Sequence, residues 1–223
     1  MKILIIGDSL TFAHGINIDS TWPFLLQKNG HKITHRGRGG STIVKVLDEL
    51  HEIKDWNIEK QNKYPLYFDI CIVQVGIVDA SPRPFSKKVT YLLKQLPFGN
   101  VIISRLNRSK LFLKYFGKQW TSEKEFLKKT KILIKETNKI AKKTFFLEIA
   151  KPAHYLKQNC GDFSKVIEKY NRILKTNCKN SSFLNVFNNK KSDKYLLRDG
   201  HHLNIHGHKI IYKTILNKIK NKK

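Results

Sequence analysis

The chain has 223 residues, and its 40% hydrophobic and 11% aromatic content favours a single folded domain with a sizeable core and argues against disorder. Its 43 Lys and Arg against 17 Asp and Glu give a formal charge of +26, but the lysines are spread along the chain and form no recognisable nucleic-acid motif. No apolar run reaches membrane-spanning length and no signal-peptide pattern is present, so we expect a cytoplasmic location.

Strand and helix patterns alternate along the chain. Apolar runs predict five strands, the third of which is the most apolar and is expected near the centre of the sheet, at residues 2–6, 31–35, 68–75, 144–149 and 182–187. Helical patterns are predicted between and after them, at residues 22–28, from 43 onward, from about 121 to 142, at 163–176 and from 205 onward. This alternation favours an α/β fold with a parallel sheet.

Two of these helices have candidate capping residues. Asp19 and Ser20 are expected to cap the helix at 22–28, and Gly30 is expected to close it. Ser41 is expected to cap the helix that follows the second strand. These residue types favour the backbone geometry of helix ends, so they mark where each helix begins or stops.

The cysteines and the histidines near the C-terminus show no pattern typical of a metal site. Cys71, Cys160 and Cys178 are an odd set without metal-ligand spacing, and Cys71 lies within the third apolar run, where we expect a small buried side chain. His206 and His208 are expected at the surface or at a helix start, because no ligand carboxylate pattern accompanies them. We therefore expect neither a metal nor another cofactor.

The segment between the third and fourth strands is too long for a simple crossover. Within it, residues 105–120 are basic and interleaved with aromatic side chains. Three interpretations are open: a lid that supplies apolar substrate contacts, a helix that contacts an anionic or lipid surface, or an extra helix packed on the core. We predict one domain over residues 1–223 with an inserted helical or lid segment at about 84–142.

The strongest chemical signal is a serine near the start of the chain and an Asp–His pair near its end. Ser9 follows the first apolar run in the sequence Gly7-Asp8-Ser9-Leu10, which predicts a tight turn that presents its hydroxyl, with Asp8 holding the turn through backbone hydrogen bonds. Asp199 and His202 are three residues apart, so the carboxylate can orient the imidazole. A serine hydroxyl needs such a base to become a nucleophile, which indicates acyl-transfer chemistry.

Four segments together resemble the SGNH or GDSL hydrolase family. They are Gly7-Asp8-Ser9-Leu10, Arg36-Gly37-Arg38-Gly39-Gly40-Ser41-Thr42, Val75-Gly76-Ile77-Val78-Asp79 and Asp199-Gly200-His201-His202-Leu203-Asn204. The resemblance implies a three-layer α/β/α domain with a flavodoxin-like parallel sheet of about five strands. It implies a catalytic triad of Ser9, His202 and Asp199. It also implies an oxyanion hole formed by the backbone N–H groups of Ser9 and Gly40.

The third of these segments departs from the family pattern. The family usually has Gly-x-Asn-Asp, in which the Asn side chain donates to the oxyanion, whereas this chain has Val78 at the Asn position. Three explanations are open. The backbone N–H groups suffice, a group such as Arg83 or a shifted loop amide substitutes, or activity has been lost.

Three further residues are expected close to the substrate: Asp79, Arg83 and His201. Arg83 has two equal interpretations, because its guanidinium can hold a carboxylate or phosphate of the substrate or can pair with Asp79. His201 is the weaker rival of His202 and is expected to be structural or to face the substrate.

The resemblance implies a serine esterase whose simplest acyl acceptor is water. The Gly-Ile-Val-Asp form of the third segment is similar to that of bacterial members associated with surface polysaccharide assembly, which favours removal of a small, acetyl-type group from a carbohydrate or similar ester. The alternatives are an O-acyltransferase or a lipid esterase on the same site. A protein that has lost activity and binds polyanions through its basic surface is a further alternative, although we expect no specific nucleic-acid recognition.

Overall fold

The computed structural model describes residues 1–59, 67–156, 163–178, 182–187 and 191–220. Cys160 lies outside these ranges, whereas Cys71 and Cys178 are buried, as predicted for Cys71. Burial raises the pKa of the Cys178 thiol to about 12, so this thiol stays protonated at neutral pH.

Five strands form one sheet, and every neighbouring pair is parallel. In chain order the strands are β1 (Lys2–Gly7), β2 (Lys32–Gly37), β3 (Phe68–Gln74), β4 (Ala141–Leu147) and β5 (Ser182–Leu184). Their spatial order is β2-β1-β3-β4-β5, which confirms the predicted flavodoxin-like α/β sheet and the central place of the third apolar run.

Helices cover both faces of the sheet. They are α1 (Trp22–Lys28), α2 (Ile43–Glu59), α3 (Ile77–Ala80), α4 (Lys87–Lys94), α5 (Gly99–Arg108), α6 (Lys110–Phe116), α7 (Glu123–Ile140), α8 (Ser164–Asn177) and α9 (Ile205–Lys220). Helix α1 packs against α9 in one layer, and α7 packs against both α2 and α8 in the other. The described part of the chain contains no helix with the length and apolar character needed to cross a bilayer.

The core lies on both sides of the sheet. In β1 the side chains of residues 3–6 are fully buried, although successive residues of a strand point to opposite faces. A parallel sheet covered on both faces requires such continuous apolar strands. Each of these aliphatic side chains contributes about 1.5–3 kcal/mol by its removal from water.

The largest differences between predicted and observed strand boundaries are at the start of β4 and the end of β5. Strand β4 begins at Ala141, three residues before the predicted start at 144. Its second and third residues, Lys142 and Lys143, interrupt the apolar pattern by which a strand is recognised in the sequence. The Lys142 ammonium lies 3.2 Å from the Asp69 carboxylate of the neighbouring strand. Strand β5 ends at Leu184, so the predicted strand at 182–187 is shorter than expected.

The predicted helix caps were partly wrong. Asp19 and Ser20 lie in a separate 3-10 helix over Ile18–Ser20, so Thr21 occupies the N-cap position of α1. Gly30 follows the end of α1 with φ of +80°, a conformation that glycine adopts without strain.

The predicted cap of α2 was also wrong. The backbone N–H of Ile43, the first residue of α2, donates to Asp79 Oδ2 at 2.9 Å, so the carboxylate comes from a distant part of the chain rather than from Ser41. Carboxylates stabilise the N–H groups that have no partner within the helix at its start, and this bond links α2 to α3.

The long segment between β3 and β4 has two parts. Its last helix, α7, belongs to one of the two helical layers and packs against β4 of the sheet. The three helices before it pack mainly on one another, α4 on α5 and α5 on α6. Arg83 and Lys118 pair as an antiparallel bridge through both backbone N–H groups at 3.0 Å. The three helices α4, α5 and α6, with their connections, are called the insert below.

Candidate active site

Ser9 lies in the turn that follows β1. Asp8 caps the short 3-10 helix Ser9–Thr11 by accepting the Leu10 N–H at Oδ1 over 3.0 Å, while the Asp8 N–H donates to the Gln74 carbonyl at the end of β3. The prediction that Asp8 holds the turn is therefore confirmed. Parallel strands end at the same edge of the sheet, and this turn lies where the connections from β1 and β3 diverge.

The turn is closely packed against the neighbouring strand. A Cβ atom on Gly7 would lie 2.1 Å from the Gln74 carbonyl oxygen, so only glycine fits there. Asp8 is fully buried, and burial raises its pKa to about 8 against the opposing effect of the Leu10 hydrogen bond. At neutral pH the Asp8 side chain is therefore mainly a neutral carboxylic acid.

His202 joins Ser9 to Asp199 through hydrogen bonds. His202 Nε2 lies 3.0 Å from Ser9 Oγ, and His202 Nδ1 lies 2.8 Å from Asp199 Oδ2. Since an ionised carboxylate only accepts, Nδ1 carries the proton and Nε2 is free to accept the serine proton. The structure thus brings together the three residues that the sequence predicts as a triad.

The backbone around Asp199 holds its carboxylate in place. Asp199 Oδ1 accepts the N–H groups of His201 and His202 at 3.0 and 2.9 Å. Partial burial by itself raises the pKa of Asp199, but the hydrogen bonds from the His202 side chain and from the two N–H groups outweigh it and hold the pKa well below its usual range. Asp199 is therefore ionised at neutral pH, as an orienting carboxylate must be.

His14 is a neighbour of this arrangement that the sequence analysis missed. Its ring stacks on that of His202, with centroids 3.6 Å apart and 18° between the planes. His14 Nε2 also lies 3.8 Å from Asp199 Oδ2, and its side chain is 56% exposed. His14 thus covers the solvent side of the imidazole.

The same three side chains are of the types that bind metal ions. One potential ligand atom each from His14, Asp199 and His202 lies within 4.8 Å of the others. However, the two histidine rings are stacked with 18° between their planes and 3.6 Å between their centroids, whereas zinc ligands point at one common centre. We assign no metal to this cluster.

A cavity of about 430 Å³ opens beside Ser9 and His202. Its wall combines polar side chains, apolar side chains and two glycines from the glycine-rich segment at 36–42. The lining residues include His14, Gly39, Gly40, Ile77, Val78, Arg83, Asn107, Leu113, Phe163 and His201. Asn107 and Leu113 come from the insert, and the sequence analysis named neither of them as a site residue. The predicted site residues Gly40, Arg83 and His201 all line this cavity.

The backbone beside Ser9 offers two donors. Within the described ranges, neither the Ser9 N–H nor the Gly40 N–H donates to another protein group. Gly40 has φ of +72°, a conformation that favours glycine. Val78, at the position where the family has Asn, lines the cavity at the start of α3, and its side chain supplies no donor. Ser9 and Gly40 thus bring backbone N–H groups without a protein acceptor to the cavity wall, and Val78 adds no side-chain donor.

Asp79 lies outside the cavity, so the predicted substrate contact was wrong. Its side chain is fully buried, with Oδ2 accepting the Ile43 N–H and Oδ1 accepting the Thr121 hydroxyl at 2.5 Å. Burial raises the pKa of Asp79 to about 6, against the effect of both hydrogen bonds. Asp79 instead connects α3, α2 and the start of α7.

Arg83 faces the cavity and does not use Asp79 as a hydrogen-bonded partner. Its guanidinium lies 5.1 Å above the Trp120 ring, which favours a cation. Within the described ranges, its buried Nε–H donates to no protein acceptor. Burial lowers the pKa of Arg83, and the charge of nearby Asp79 opposes this effect. An arginine side chain in a cavity wall suits an anionic group of a ligand.

His206 is exposed and His208 lies in the first turn of α9, both as expected, but His208 is buried rather than at the surface. His208 is 1% exposed, and its Nδ1 accepts the Trp22 N–H at 3.3 Å, which links α9 to the start of α1. Burial lowers the pKa of His208 to about 4, so the ring is neutral at neutral pH.

No protein-family model matches the sequence, and no curated protein matches it. The fold is nevertheless shared with solved structures. Axe2, an acetylxylan esterase from Geobacillus stearothermophilus, superposes with a TM-score of 0.61 at 17% identity over 98% of this chain and 93% of that chain. TesA gives 0.58 at 15% identity over 99% of both chains. LAE5, an alpha/beta hydrolase enzyme from the metagenome of Lake Arreo, Spain, gives 0.58 at 16% identity over 97% and 93%.

Proposed function

We propose that the protein is a serine esterase of the SGNH or GDSL type that forms an acyl intermediate on Ser9. The observation that carries this proposal is the continuous hydrogen-bonded path from Ser9 Oγ through His202 to Asp199, at 3.0 and 2.8 Å. The fold shared with the esterase Axe2 supports the same reaction class.

The first half-reaction transfers the acyl group to the serine. His202 Nε2 accepts the Ser9 hydroxyl proton as Oγ bonds to the carbonyl carbon, and the carbonyl oxygen becomes an oxyanion. The N–H groups of Ser9 and Gly40 donate to that oxyanion. When the oxyanion collapses, the bond to the alcohol oxygen breaks, and protonated His202 gives its proton to this leaving oxygen.

The second half-reaction releases the acid. Water gives a proton to His202 Nε2 and attacks the acyl carbon, and collapse of the second oxyanion breaks the bond to Ser9 Oγ, which regains the proton. Asp199 stays ionised throughout and stabilises the imidazolium that forms in both halves. The products are the alcohol, the carboxylic acid and the free enzyme.

The substrate we propose is a small, acetyl-type ester of a carbohydrate. A cavity of about 430 Å³ holds a sugar-sized group together with a short acyl chain. Ile77, Val78 and Phe163 supply apolar contact, whereas Arg83 and Asn107 supply polar groups for an alcohol moiety. The cationic Arg83 side chain in the cavity wall supports a substrate that carries a carboxylate or phosphate.

The test compares the wild type with Ser9→Ala in two measurements. The first is turnover of p-nitrophenyl acetate, p-nitrophenyl octanoate and acetylated oligosaccharides. The second is labelling by a fluorophosphonate, detected by mass spectrometry. Ser81→Ala is the matched control, because Ser81 lines the same cavity but its hydroxyl donates to the Ile77 carbonyl. We expect Ser9→Ala alone to lose label and turnover, and acetyl to be preferred over octanoyl.

Other outcomes would replace the proposal by an alternative. Preference for octanoyl would favour a lipid esterase, and transfer of acetyl to a sugar acceptor faster than to water would favour an acyltransferase. No label and no Ser9-dependent turnover, together with tight, salt-sensitive binding of polyanions, would favour a protein that has lost activity and binds polyanions through its basic surface.

A further inference from the structure

The insert leaves most of its side chains in water. All residues of α4, α5 and α6 are described, and Leu113 is the only buried side chain among them apart from the glycine that begins α5. Ordinary surface helices bury an apolar stripe against the core, so helices that bury so little lack a partner for their apolar residues.

The insert carries most of the large apolar side chains that the described residues expose. Phe98, Leu111 and Tyr115 are 74%, 69% and 71% exposed. The ten exposed members, called the apolar patch below, are Val89, Tyr91, Leu92, Leu96, Phe98, Val101, Ile102, Leu111, Tyr115 and Phe116. Clusters of this kind on a monomer mark an interaction surface.

The charge around the apolar patch has one sign. From Ala80 to Ser122 the sequence contains no Asp or Glu. The basic residues between Pro84 and Ser122 are Lys87, Lys88, Lys94, Arg105, Arg108, Lys110, Lys114 and Lys118. Helix α7, by contrast, places Glu123, Glu125 and Glu136 among its lysines. The insert thus combines exposed apolar groups with unneutralised positive charge.

From these observations we propose that the insert docks on the surface of an anionic phospholipid bilayer. Amphipathic helices with basic polar residues and exposed aromatic and aliphatic side chains bind at the lipid headgroup level, where apolar groups leave water and lysines meet anionic headgroups. A second copy of the chain does not complement this surface, because it carries the same charge of +26 and no acidic residue in its own patch.

Docking in this way places the cavity beside the lipid. The insert contributes Asn107 and Leu113 to the cavity wall, and neither belongs to the apolar patch. The base of the insert is held by the Arg83–Lys118 bridge and by the Trp120 indole N–H, which donates to the Phe85 carbonyl at 2.9 Å. The insert and the cavity therefore move together, and a bound membrane orients the site toward molecules at the bilayer surface.

The test is co-sedimentation of the full chain with vesicles of phosphatidylglycerol and phosphatidylcholine, or of phosphatidylcholine alone, at low and high salt. We expect binding to the anionic vesicles only, weakened by salt. A triple change of the patch, Phe98→Ser, Tyr115→Ser and Phe116→Ser, should weaken binding at least about tenfold because burial of three aromatic side chains is lost.

Two variants that each remove four positive charges distinguish the effect of charges on the insert from the effect of the net charge of the chain. One variant carries Arg105→Gln, Arg108→Gln, Lys110→Gln and Lys114→Gln. Its matched control carries Lys209→Gln, Lys213→Gln, Lys218→Gln and Lys220→Gln, all exposed on α9, which lies outside the insert. The insert variant should lose at least about tenfold in affinity and the control less than about threefold, since only charges close to the headgroups interact strongly. Circular dichroism checks that each variant keeps the fold.

Three results would overturn the proposal. The first is no binding to anionic vesicles, and the second is equal loss in the insert variant and the α9 control. The third is a dimer in analytical ultracentrifugation that the Phe98, Tyr115 and Phe116 changes dissociate, which would assign the apolar patch to a second copy of the chain.

Discussion

The imidazole of His14 lies flat against that of His202, with 3.6 Å between the ring centroids, on the side that faces solvent. His202 is thereby held from two directions, by the Asp199 carboxylate at its Nδ1 and by the His14 ring on its face. A base that accepts a proton from Ser9 must keep its Nε2 aimed at Oγ, so the stacked ring is a positioning contact.

We predict that His14→Ala lowers kcat about tenfold with a smaller effect on KM, because a His202 ring that has lost its stacked neighbour spends less time aligned with Ser9. His14→Phe keeps a stacking ring without a titratable group and should restore most of kcat. Steady-state kinetics with p-nitrophenyl acetate measure both. Equal loss in the two variants would show that a polar contact of His14, rather than stacking, is what matters.

The pH dependence of kcat/KM should show a single acid limb. Protonated His202 cannot accept the serine proton, so activity is expected to rise with pH as the imidazole of the free enzyme loses its proton. The pKa of Asp199 is held well below its usual range, so Asp199 stays ionised across this limb and adds no second step. A limb steeper than first order would mean that another titrating group controls the site.

Val78→Asn should increase turnover of a small aryl ester by about tenfold, a fraction of the usual contribution of one oxyanion donor. Val78 lines the cavity, so an amide there adds a donor beside the two backbone N–H groups. Val78→Ala is the control for packing, since it removes volume and adds no donor. Loss of activity in the Asn variant alone would show that another group already fills the oxyanion position.

Arg83→Gln should raise KM for an ester with an anionic alcohol moiety by about tenfold or more, the size of one lost charge-assisted hydrogen bond, and leave a neutral ester unaffected. The reason is the cationic side chain of Arg83, which lines the cavity. Arg172→Gln, an exposed change on α8, controls for net charge. A similar KM change for both esters would indicate a change of cavity shape instead.

The free energy of unfolding should fall as the pH drops from about 6.5 to about 4, in part because of His208. In this window the unfolded chain binds a proton at His208 and the folded chain does not, so protons favour unfolding. His208→Asn keeps an acceptor for the Trp22 N–H but has no titrating ring. The free energy of unfolding, measured by urea denaturation, should decrease across this window by about 2 kcal/mol less in the variant than in the wild type.

The strands of the sheet were predictable because their signals are local, whereas the flavodoxin-like arrangement was implied by the family resemblance. Parallel strands covered on both faces appear as uninterrupted apolar runs, and β1 and β3 are such runs. The approach of Ser9 to His202 was also within reach, since a strand-end turn and a short Asp–His spacing are visible in the sequence.

The remaining features depend on contacts between distant parts of the chain. The stacking of His14 on His202 and the bond from the Ile43 N–H to Asp79 leave no periodic or motif signal. The burial of His208 follows from the packing of α9 on α1, which the polar appearance of its helix start concealed. These contacts exist only once the layers have assembled.

The Arg83–Lys118 bridge holds the two ends of the intervening segment next to each other. Closing a longer loop between fixed ends costs only about 0.6 kcal/mol for each doubling of its length. The segment between these two residues can therefore change in length and composition with little effect on the sheet that holds Ser9 and His202. The sequence of the insert, which forms one wall of the cavity and carries the apolar patch, can thus change while the reacting groups stay in place.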